Sequence, residues 1–133
     1  MINFRPYPKT KQLKKSRRKE PKREVYKGKT IPSRRQRGAI SKKEYQRALE
    51  AFGDVCVVCG NPKIEMHHIV FRSQGGRGGY RNLIPLCNKH HRWAHQSRNF
   101  ADKLRKHREK QFGPYFWADK WDLFKAGLIT DAT

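Results

Sequence analysis

The first stretch with a regular apolar period begins after Ser41. Ser41 and Glu44 fit the S-x-x-E capping box, in which each side chain bonds to the other residue's backbone amide. Gly53 is suited to end the helix. Between them, apolar residues recur at helical spacing at Tyr45, Ala48, Leu49 and Phe52. The pattern therefore predicts a short helix between Ser41 and Gly53.

Two extended stretches and a helix follow. Residues 63–71 and 82–86 have the apolar and β-branched character of strands. A glycine-rich loop at residues 74–79 separates them, and the pattern becomes helical from residue 88 to about 97. Because a strand, a loop, a strand and a helix lie among other helical segments, we predict the α+β fold class.

The C-terminal third predicts further helices. A charged helical segment over residues 100–112 would end at Gly113 and Pro114. One helical face beyond it carries the stripe Trp117, Trp121, Phe124 and Leu128. We expect residues 98–133 to form a helical extension that packs over the core. A self-association surface is the alternative interpretation of the stripe.

Residues 1–40 show no apolar period and contain four prolines. Residues 1–43 hold 17 Lys and Arg against two acidic residues, whereas the whole chain has a net charge of +21. We expect residues 1–40 to be a basic, flexible arm that binds DNA, because clustered positive charge releases counterions from phosphates. The alternative is a solvated tail.

Composition limits the size of the core and the class of partner. Only 35% of the 133 residues are hydrophobic, so the core is small and a metal clip is a usual means of stabilising it. No stretch approaches the roughly 20 apolar residues that span a bilayer, and the N-terminus has no apolar secretory region. The charge favours polyanions, meaning DNA, RNA or an anionic membrane surface. The charge alone leaves the choice among these three open.

The three cysteines belong to a paired pattern. Their odd number, with two in C-x2-C, indicates thiolates on a metal in a reducing compartment rather than disulfides, and thus a cytoplasmic location. Two spaced pairs supply four ligands, at Cys56, Cys59, Cys87 and His90. This C-x2-C and C-x2-H spacing predicts a tetrahedral structural Zn²⁺ site. The alternative is that the cysteines are merely buried apolar residues.

The remaining histidines predict a second metal centre. His91 and His95 are i and i+4 on the predicted helix, so they project from one face. His67 and His68 are adjacent on a predicted strand and should point in opposite directions. One can therefore bind a metal while the other approaches a substrate. Taken alone, His95 could also be an ordinary surface histidine.

Together these residues closely resemble the HNH endonuclease family, also known as ββα-metal or His-Me finger nucleases. The resemblance rests on E-M-H-H-I-V at residues 65–70, on N-L-I-P-L-C at 82–87 and on His90-His91, with eight residues between Asn82 and His91. It covers about residues 50–97. The E-x-H-H…N-x8-H-x3-H form is similar to that of the DNase colicins, and the zinc-knuckle form to short phage-encoded members.

The resemblance implies a small ββα-metal core held by a structural zinc at residues 41–97, flanked by the arm and the helical extension. It also implies a role for each site residue. His67, His91 and His95 would bind the catalytic metal, with His68 as the general base. Asn82 would hold the loop and the base by hydrogen bonds, and Glu65 would orient its neighbours.

The second ligand pair, at residues 87–91, departs from the pattern of many family members. Those members have C-x2-C-H where this chain has C-x2-H-H. His can replace Cys on zinc. We assign His90 to zinc on its spacing from Cys87, and His91 to the catalytic metal on its spacing from Asn82.

The implied activity is metal-dependent hydrolysis of double-stranded DNA with little or no sequence specificity, and the resemblance implies no membrane partner. The catalytic ion could be Mg²⁺, Mn²⁺ or another transition metal such as Co²⁺, Ni²⁺ or Zn²⁺. Three arginines around the glycine loop are candidate phosphate clamps or merely solvated charges: Arg72, Arg77 and Arg81. The resemblance also implies a phage-encoded protein in a bacterial host, linked to DNA packaging and terminase partners. The alternatives are a non-catalytic zinc-knuckle protein that binds nucleic acid, and a basic structural protein.

Overall fold

The computed structural model describes residues 24–130 of the chain. Along this range it has four short strands and five helices in the order β1 (Val25–Tyr26), β2 (Lys29–Thr30), α1 (Arg34–Gly38), α2 (Lys42–Phe52), β3 (Glu65–His68), β4 (Leu83–Leu86), α3 (Asn88–Gln96), α4 (Arg98–Phe112) and α5 (Lys120–Lys125). The strands form two separate antiparallel pairs, β1 with β2 and β3 with β4. The predicted α+β class is confirmed.

The centre of the molecule is the ββα unit formed by β3, β4 and α3. Its register pairs Glu65 with Leu86 and His68 with Leu83. The strands are shorter than predicted from residues 63–71 and 82–86. The chain leaves the sheet after His68 because the backbone N–H and C=O of Val70 bond to the Asn82 side chain instead of to a strand.

Helix α2 begins and ends where the sequence predicts, but its capping box is incomplete. Ser41 accepts a hydrogen bond from the Glu44 backbone amide at 3.2 Å, and Gly53 ends the helix with φ at 91°. The Glu44 carboxylate does not return to Ser41. It accepts from the Tyr80 amide at 2.8 Å and so ties α2 to the short 3₁₀ turn before β4.

The apolar core is small and lies where the ββα unit meets the C-terminal residues. Its buried members are Cys56, Ile69, Ile84, Leu86, Cys87, Ala94 and Phe116. Helix α4 covers it with Phe100, Leu104 and Phe112, and Trp117 packs beside them. Residues 98–117 therefore pack against the metal-ligand region through a shared core.

The sequence predicts one continuous helix for the aromatic stripe, but in the structure the stripe is interrupted. Asp119 begins a new helix, α5, through a capping box with Asp122, and this leaves Trp117 before the helix and Leu128 after it. Trp121 is buried against Tyr26 of the N-terminal hairpin, with ring centroids 5.8 Å apart. Leu128 is 54% exposed. Part of the stripe thus covers the hairpin instead of the core.

Regular structure begins earlier than predicted, because residues 24–40 contain the β1–β2 hairpin and α1. Ser33 and Gln36 form a complete capping box at the start of α1. Arg37 then pairs with two acidic residues from the far end of the chain, Asp119 at 2.6 Å and Asp122 at 3.0 Å. A search for apolar periodicity cannot find a segment held by such distant charges. The remainder of the predicted arm, residues 1–23, lies outside the described range.

Between residues 24 and 130, no helix has the length and apolar character needed to cross a bilayer.

Candidate active site

The first metal-ligand group joins the turn after α2 to the start of α3. It comprises Cys56, Cys59, Cys87 and His90, whose ligand atoms all lie within 4.8 Å of one another. Cys59 Sγ is 3.7 Å from Cys87 Sγ, and Cys56 Sγ is 3.6 Å from His90 Nδ1. A tetrahedral zinc with its usual bond lengths would separate two sulfurs by about 3.8 Å, and sulfur from nitrogen by about 3.6 Å. The set is therefore spaced as zinc requires, with the Cys87 and His90 pair somewhat closer at 3.0 Å.

The electrostatics around Cys56 favour the thiolate that zinc binds. Burial opposes its ionisation, but hydrogen bonds from the backbone at Cys87, Cys59 and Val58 outweigh burial and lower the pKa of the Cys56 thiol to about 6. All three cysteines are free of disulfides. Chemistry and spacing thus agree that this group could hold a structural zinc.

The second metal-ligand group joins β3 to α3 and comprises His67, His91 and His95. His91 Nε2 and His95 Nε2 are 3.3 Å apart, and the His67 ring centroid lies 5.0 and 5.1 Å from the other two. Three imidazoles from two elements therefore converge on one point. The i and i+4 spacing on α3 produces this arrangement, as the sequence predicts.

His67 is the buried member of this group. It is 1% exposed, and among residues 24–130 neither of its ring nitrogens has a hydrogen-bond partner. Burial, with a smaller contribution from His91, lowers the pKa of His67 to about 3. Leaving a buried nitrogen unpaired is costly, and neutral imidazole is the form that binds metals. These features fit a metal ligand.

Glu65 and Phe71 orient the other two imidazoles. Glu65 Oε2 lies 2.6 Å from His91 Nδ1, which leaves the His91 Nε2 directed towards His95. The Phe71 ring stacks on His95 with centroids 4.8 Å apart and an angle of 25° between the planes. The family resemblance implies that Glu65 orients its neighbours, and the contact with His91 is consistent with that role. No sequence signal pointed to Phe71.

His68 lines a cleft that also contains two of the metal-ligand histidines. The cleft has a volume of about 380 Å³ and is lined by Met66, His68, Phe71, Arg72, Ser73, His91 and His95. His68 Nε2 lies 2.8 Å from the Gly38 carbonyl oxygen, and burial lowers the pKa of His68. A neutral imidazole and a potential metal centre therefore face the same open space.

Asn82 fastens both ends of the glycine-rich loop. Its Oδ1 accepts from the Val70 amide at 2.8 Å, and its Nδ2 donates to the carbonyls of Val70 at 3.1 Å and Arg77 at 2.9 Å. Asn82 is fully buried. Within residues 24–130 its side chain bonds to the loop and not to His68. The expected hold on the base is therefore indirect, through the chain between His68 and Val70.

Two glycines of this loop are needed for internal packing. A Cβ at Gly76 would lie 1.7 Å from the Val70 carbonyl oxygen, and one at Gly78 would lie 2.0 Å from that of Ala39. The absence of a side chain at Gly76 and Gly78 thus lets the loop lie directly against Val70 and against the residue that follows α1.

The three arginines proposed as phosphate clamps have different environments. Arg77 makes two hydrogen bonds to Asp122, at 2.8 and 3.0 Å, and its side chain is only 11% exposed. It is therefore not available to a phosphate, contrary to the prediction. Arg72 lines the cleft while donating one bond to the Arg35 carbonyl at 3.0 Å. Arg81 is exposed and lies over the Phe112 ring at 5.0 Å.

Comparison with family models gives a match that spans both metal-ligand groups. Residues 56–97 match the model of the HNH endonuclease family. The match begins at Cys56, the first residue of the first metal-ligand group, and ends just after α3. No curated protein matches the chain significantly.

Proposed function

We propose that this chain, whose residues 56–97 carry an HNH endonuclease domain, is a metal-dependent nuclease that hydrolyses phosphodiester bonds in double-stranded DNA. The observation that carries the proposal is the shared cleft. His68 lies in it beside His91 and His95, and these two converge with the buried His67. A base and a metal centre at one opening are what attack of water on a phosphodiester requires.

Each residue would have a defined part in the reaction. His67, His91 and His95 would hold a divalent ion, Mg²⁺, Mn²⁺ or another transition metal, with the Glu65 carboxylate keeping His91 in place. A bound ion would supply positive charge to the phosphate and to the departing 3′ oxygen. His68 would accept a proton from the attacking water. Its lowered pKa keeps the ring neutral, and therefore able to act as a base, at neutral pH.

Cations are available on two sides of the metal centre to bind phosphate groups. Arg72 lines the cleft on the His68 side. Phe71 and His95 also border a second cavity of about 230 Å³, to which Arg98 and Arg105 contribute. Arginines on both sides would hold neighbouring phosphates of one DNA strand while the scissile phosphate meets the metal. Arg98 and Arg105 take the part that the sequence assigned to Arg77.

Cys56, Cys59, Cys87 and His90 would hold a structural zinc. Two ligands follow α2 and two flank the start of α3, so a bound ion would fix α3 against the preceding segment. The position of α3 matters because it also carries His91 and His95. A core this small gains much of its stability from such a site.

A non-catalytic zinc-knuckle protein that binds nucleic acid is the second candidate function. It would need only the zinc-type ligands and the basic charge. The buried ring nitrogens of His67, which have no partner among the described residues, argue against it, because without a metal they only destabilise the fold. A pure binding module also has no use for a base at the cleft.

A plasmid assay separates the two candidates. Protein stripped of weakly held metal is incubated with supercoiled plasmid in EDTA or with Mg²⁺, Mn²⁺, Co²⁺, Ni²⁺ or Zn²⁺. We expect nicked or linear plasmid with at least one metal and none in EDTA. The His107→Ala variant, altered at an exposed histidine outside both groups, should cut like the wild type. Binding of plasmid without cleavage under every condition would favour the binding protein.

The biological setting belongs to the same proposal. A cytoplasmic location is supported by the grouping of the three cysteines as potential metal ligands, which need a reducing compartment. A bacterial host, a phage origin and a packaging role with terminase partners are supported by the sequence resemblance alone.

A further inference from the structure

We infer that Arg37 and Gly38, which lie outside the family match, complete the active site: the Gly38 carbonyl fixes the His68 ring, and Arg37 holds this carbonyl in position. The inference rests on the proposed function and adds a positioning residue to it. It follows from hydrogen bonds that reach the cleft from the segment expected to be a flexible arm.

The Gly38 carbonyl determines which nitrogen of His68 carries the proton. A carbonyl oxygen can only accept, and it lies 2.8 Å from His68 Nε2. The Nε2 atom must therefore carry the hydrogen. In a neutral imidazole the other nitrogen, Nδ1, is then unprotonated and can accept a proton from water. Neither the E-x-H-H motif nor its spacing specifies this assignment.

Three hydrogen bonds fasten the segment that carries Gly38 to residues 72–78. The Gly78 amide donates to the Arg37 carbonyl at 3.0 Å, and Arg72 donates to the Arg35 carbonyl at 3.0 Å. Arg34 donates in turn to the Ser73 carbonyl. Since Arg72 and Ser73 line the cleft, movement of α1 would disturb both the base and this wall of the cleft.

Arg37 anchors the segment to the C-terminal residues. Its guanidinium makes two hydrogen bonds to Asp119, at 2.6 and 2.7 Å, and lies 3.0 Å from Asp122. Asp122 also binds Arg77 of the glycine-rich loop. The Arg37 side chain is only 10% exposed, so these contacts are shielded from water. One ion cluster therefore joins α1, the loop and α5, next to the carbonyl that holds His68.

The tautomer can be read directly from the wild-type protein. A long-range ¹H–¹⁵N spectrum, with His68 assigned by comparison with His68→Ala, should show His68 protonated at Nε2 and bare at Nδ1. A neutral His68 protonated at Nδ1 would overturn the inference. This measurement needs no cleavage, so it remains decisive even if no metal supports nuclease activity.

The role of Arg37 is tested against a matched control at Arg47. Arg37→Met should lower the single-turnover cleavage rate at saturating DNA by about 10²-fold, the cost of misplacing a reacting group by about 1 Å. Arg47→Met removes the same charge from an exposed side chain of α2, outside the segment that contacts the cleft. It should therefore cut like the wild type, with the same change in DNA affinity as Arg37→Met. Arg37→Lys, which retains one ion pair, should recover part of the rate.

The spectrum and the rates together separate the possible failures. In Arg37→Met we expect His68 to populate both tautomers. Equal cleavage rates for Arg37→Met and Arg47→Met, with wild-type cleavage intact, would overturn the positioning role alone. If Arg37→Met does not fold, the comparison of Arg37→Lys with Arg47→Lys takes its place. If the wild-type protein cleaves DNA with none of the metals, the proposed function is refuted, but the tautomer measured for His68 still stands.

Discussion

Glu65 Oε2 lies 2.6 Å from His91 Nδ1, and this contact links β3 to α3 at the second metal-ligand group. Because Nδ1 contacts Glu65, Nε2 is the His91 atom directed towards His95, 3.3 Å away. Partners of this kind orient a ligand and raise its basicity. The bond to His91 also lowers the pKa of Glu65, so the carboxylate stays ionised at neutral pH.

Glu65→Gln should weaken binding at the catalytic metal site. The amide retains the shape of the side chain but loses the negative charge, so we expect metal affinity to fall about 10–100-fold. Calorimetric titration with Mn²⁺ or Ni²⁺ measures the change, after the zinc content is shown to be the same. Glu50→Gln makes the same chemical change at an exposed position on α2 and should leave the affinity unchanged. Equal affinities for both variants would show that Glu65 does not support the metal site.

His68→Ala should abolish most of the cleavage while the fold, the DNA affinity and the metal affinity are retained. A general base lowers the reaction barrier and contributes little to binding, and it is typically worth about 10²–10⁴ in rate. Single-turnover cleavage of plasmid measures this loss, with His107→Ala as the matched control. A rate for His68→Ala within about threefold of the control would remove His68 from the role of base.

Cys56→Ser should act through the fold. Zinc binding in such small units is coupled to folding, so the loss of one thiolate should lower both the melting temperature and the bound zinc. His90→Cys is the matched control for Cys56→Ser, because a fourth thiolate can replace the imidazole on zinc. It should retain one zinc per chain and melt near the wild type. If Cys56→Ser retained its zinc and its melting curve, the site would not be structural.

Local patterns predicted the ββα unit and both ligand groups. The C-x2-C spacing, the adjacent His67 and His68, and the i, i+4 pair on α3 are short-range features, and local structure largely decides where such residues point. The strands were placed correctly but too long, because the Asn82 side chain takes the backbone bonds of Val70. A side chain that takes the backbone hydrogen bonds of a strand residue cannot be recognised from the pattern of apolar residues.

Contacts between distant parts of the chain were not predictable in the same way. Arg37 and Asp119 are 82 residues apart in sequence and have no periodic signal between them. Gly38 contributes a carbonyl to His68, and any residue type has a carbonyl. Sequence analysis therefore found the residues of both metal-ligand groups and missed the segment that contacts His68.

Two truncations should separate DNA affinity from catalysis at the N-terminus. Residues 1–23 contain ten Lys and Arg and one acidic residue, and they contain none of the cysteines and histidines of the two metal-ligand groups. Deleting them should weaken DNA binding and flatten the plot of log K against log salt, since each phosphate neutralised contributes about −0.9 to the slope. At saturating DNA this variant should still cut at the wild-type rate.

Deleting residues 1–40 should also remove cleavage, because it removes Arg37 and the carbonyl that holds His68. Binding at several salt concentrations, followed by single-turnover cleavage at saturating DNA, distinguishes the two variants. Circular dichroism and zinc content must first show that the longer truncation retains its core. A folded protein that lacks residues 1–40 and still cuts at full rate would show that α1 plays no part in the site. An unchanged salt slope after deletion of residues 1–23 would show that their charge does not reach the DNA.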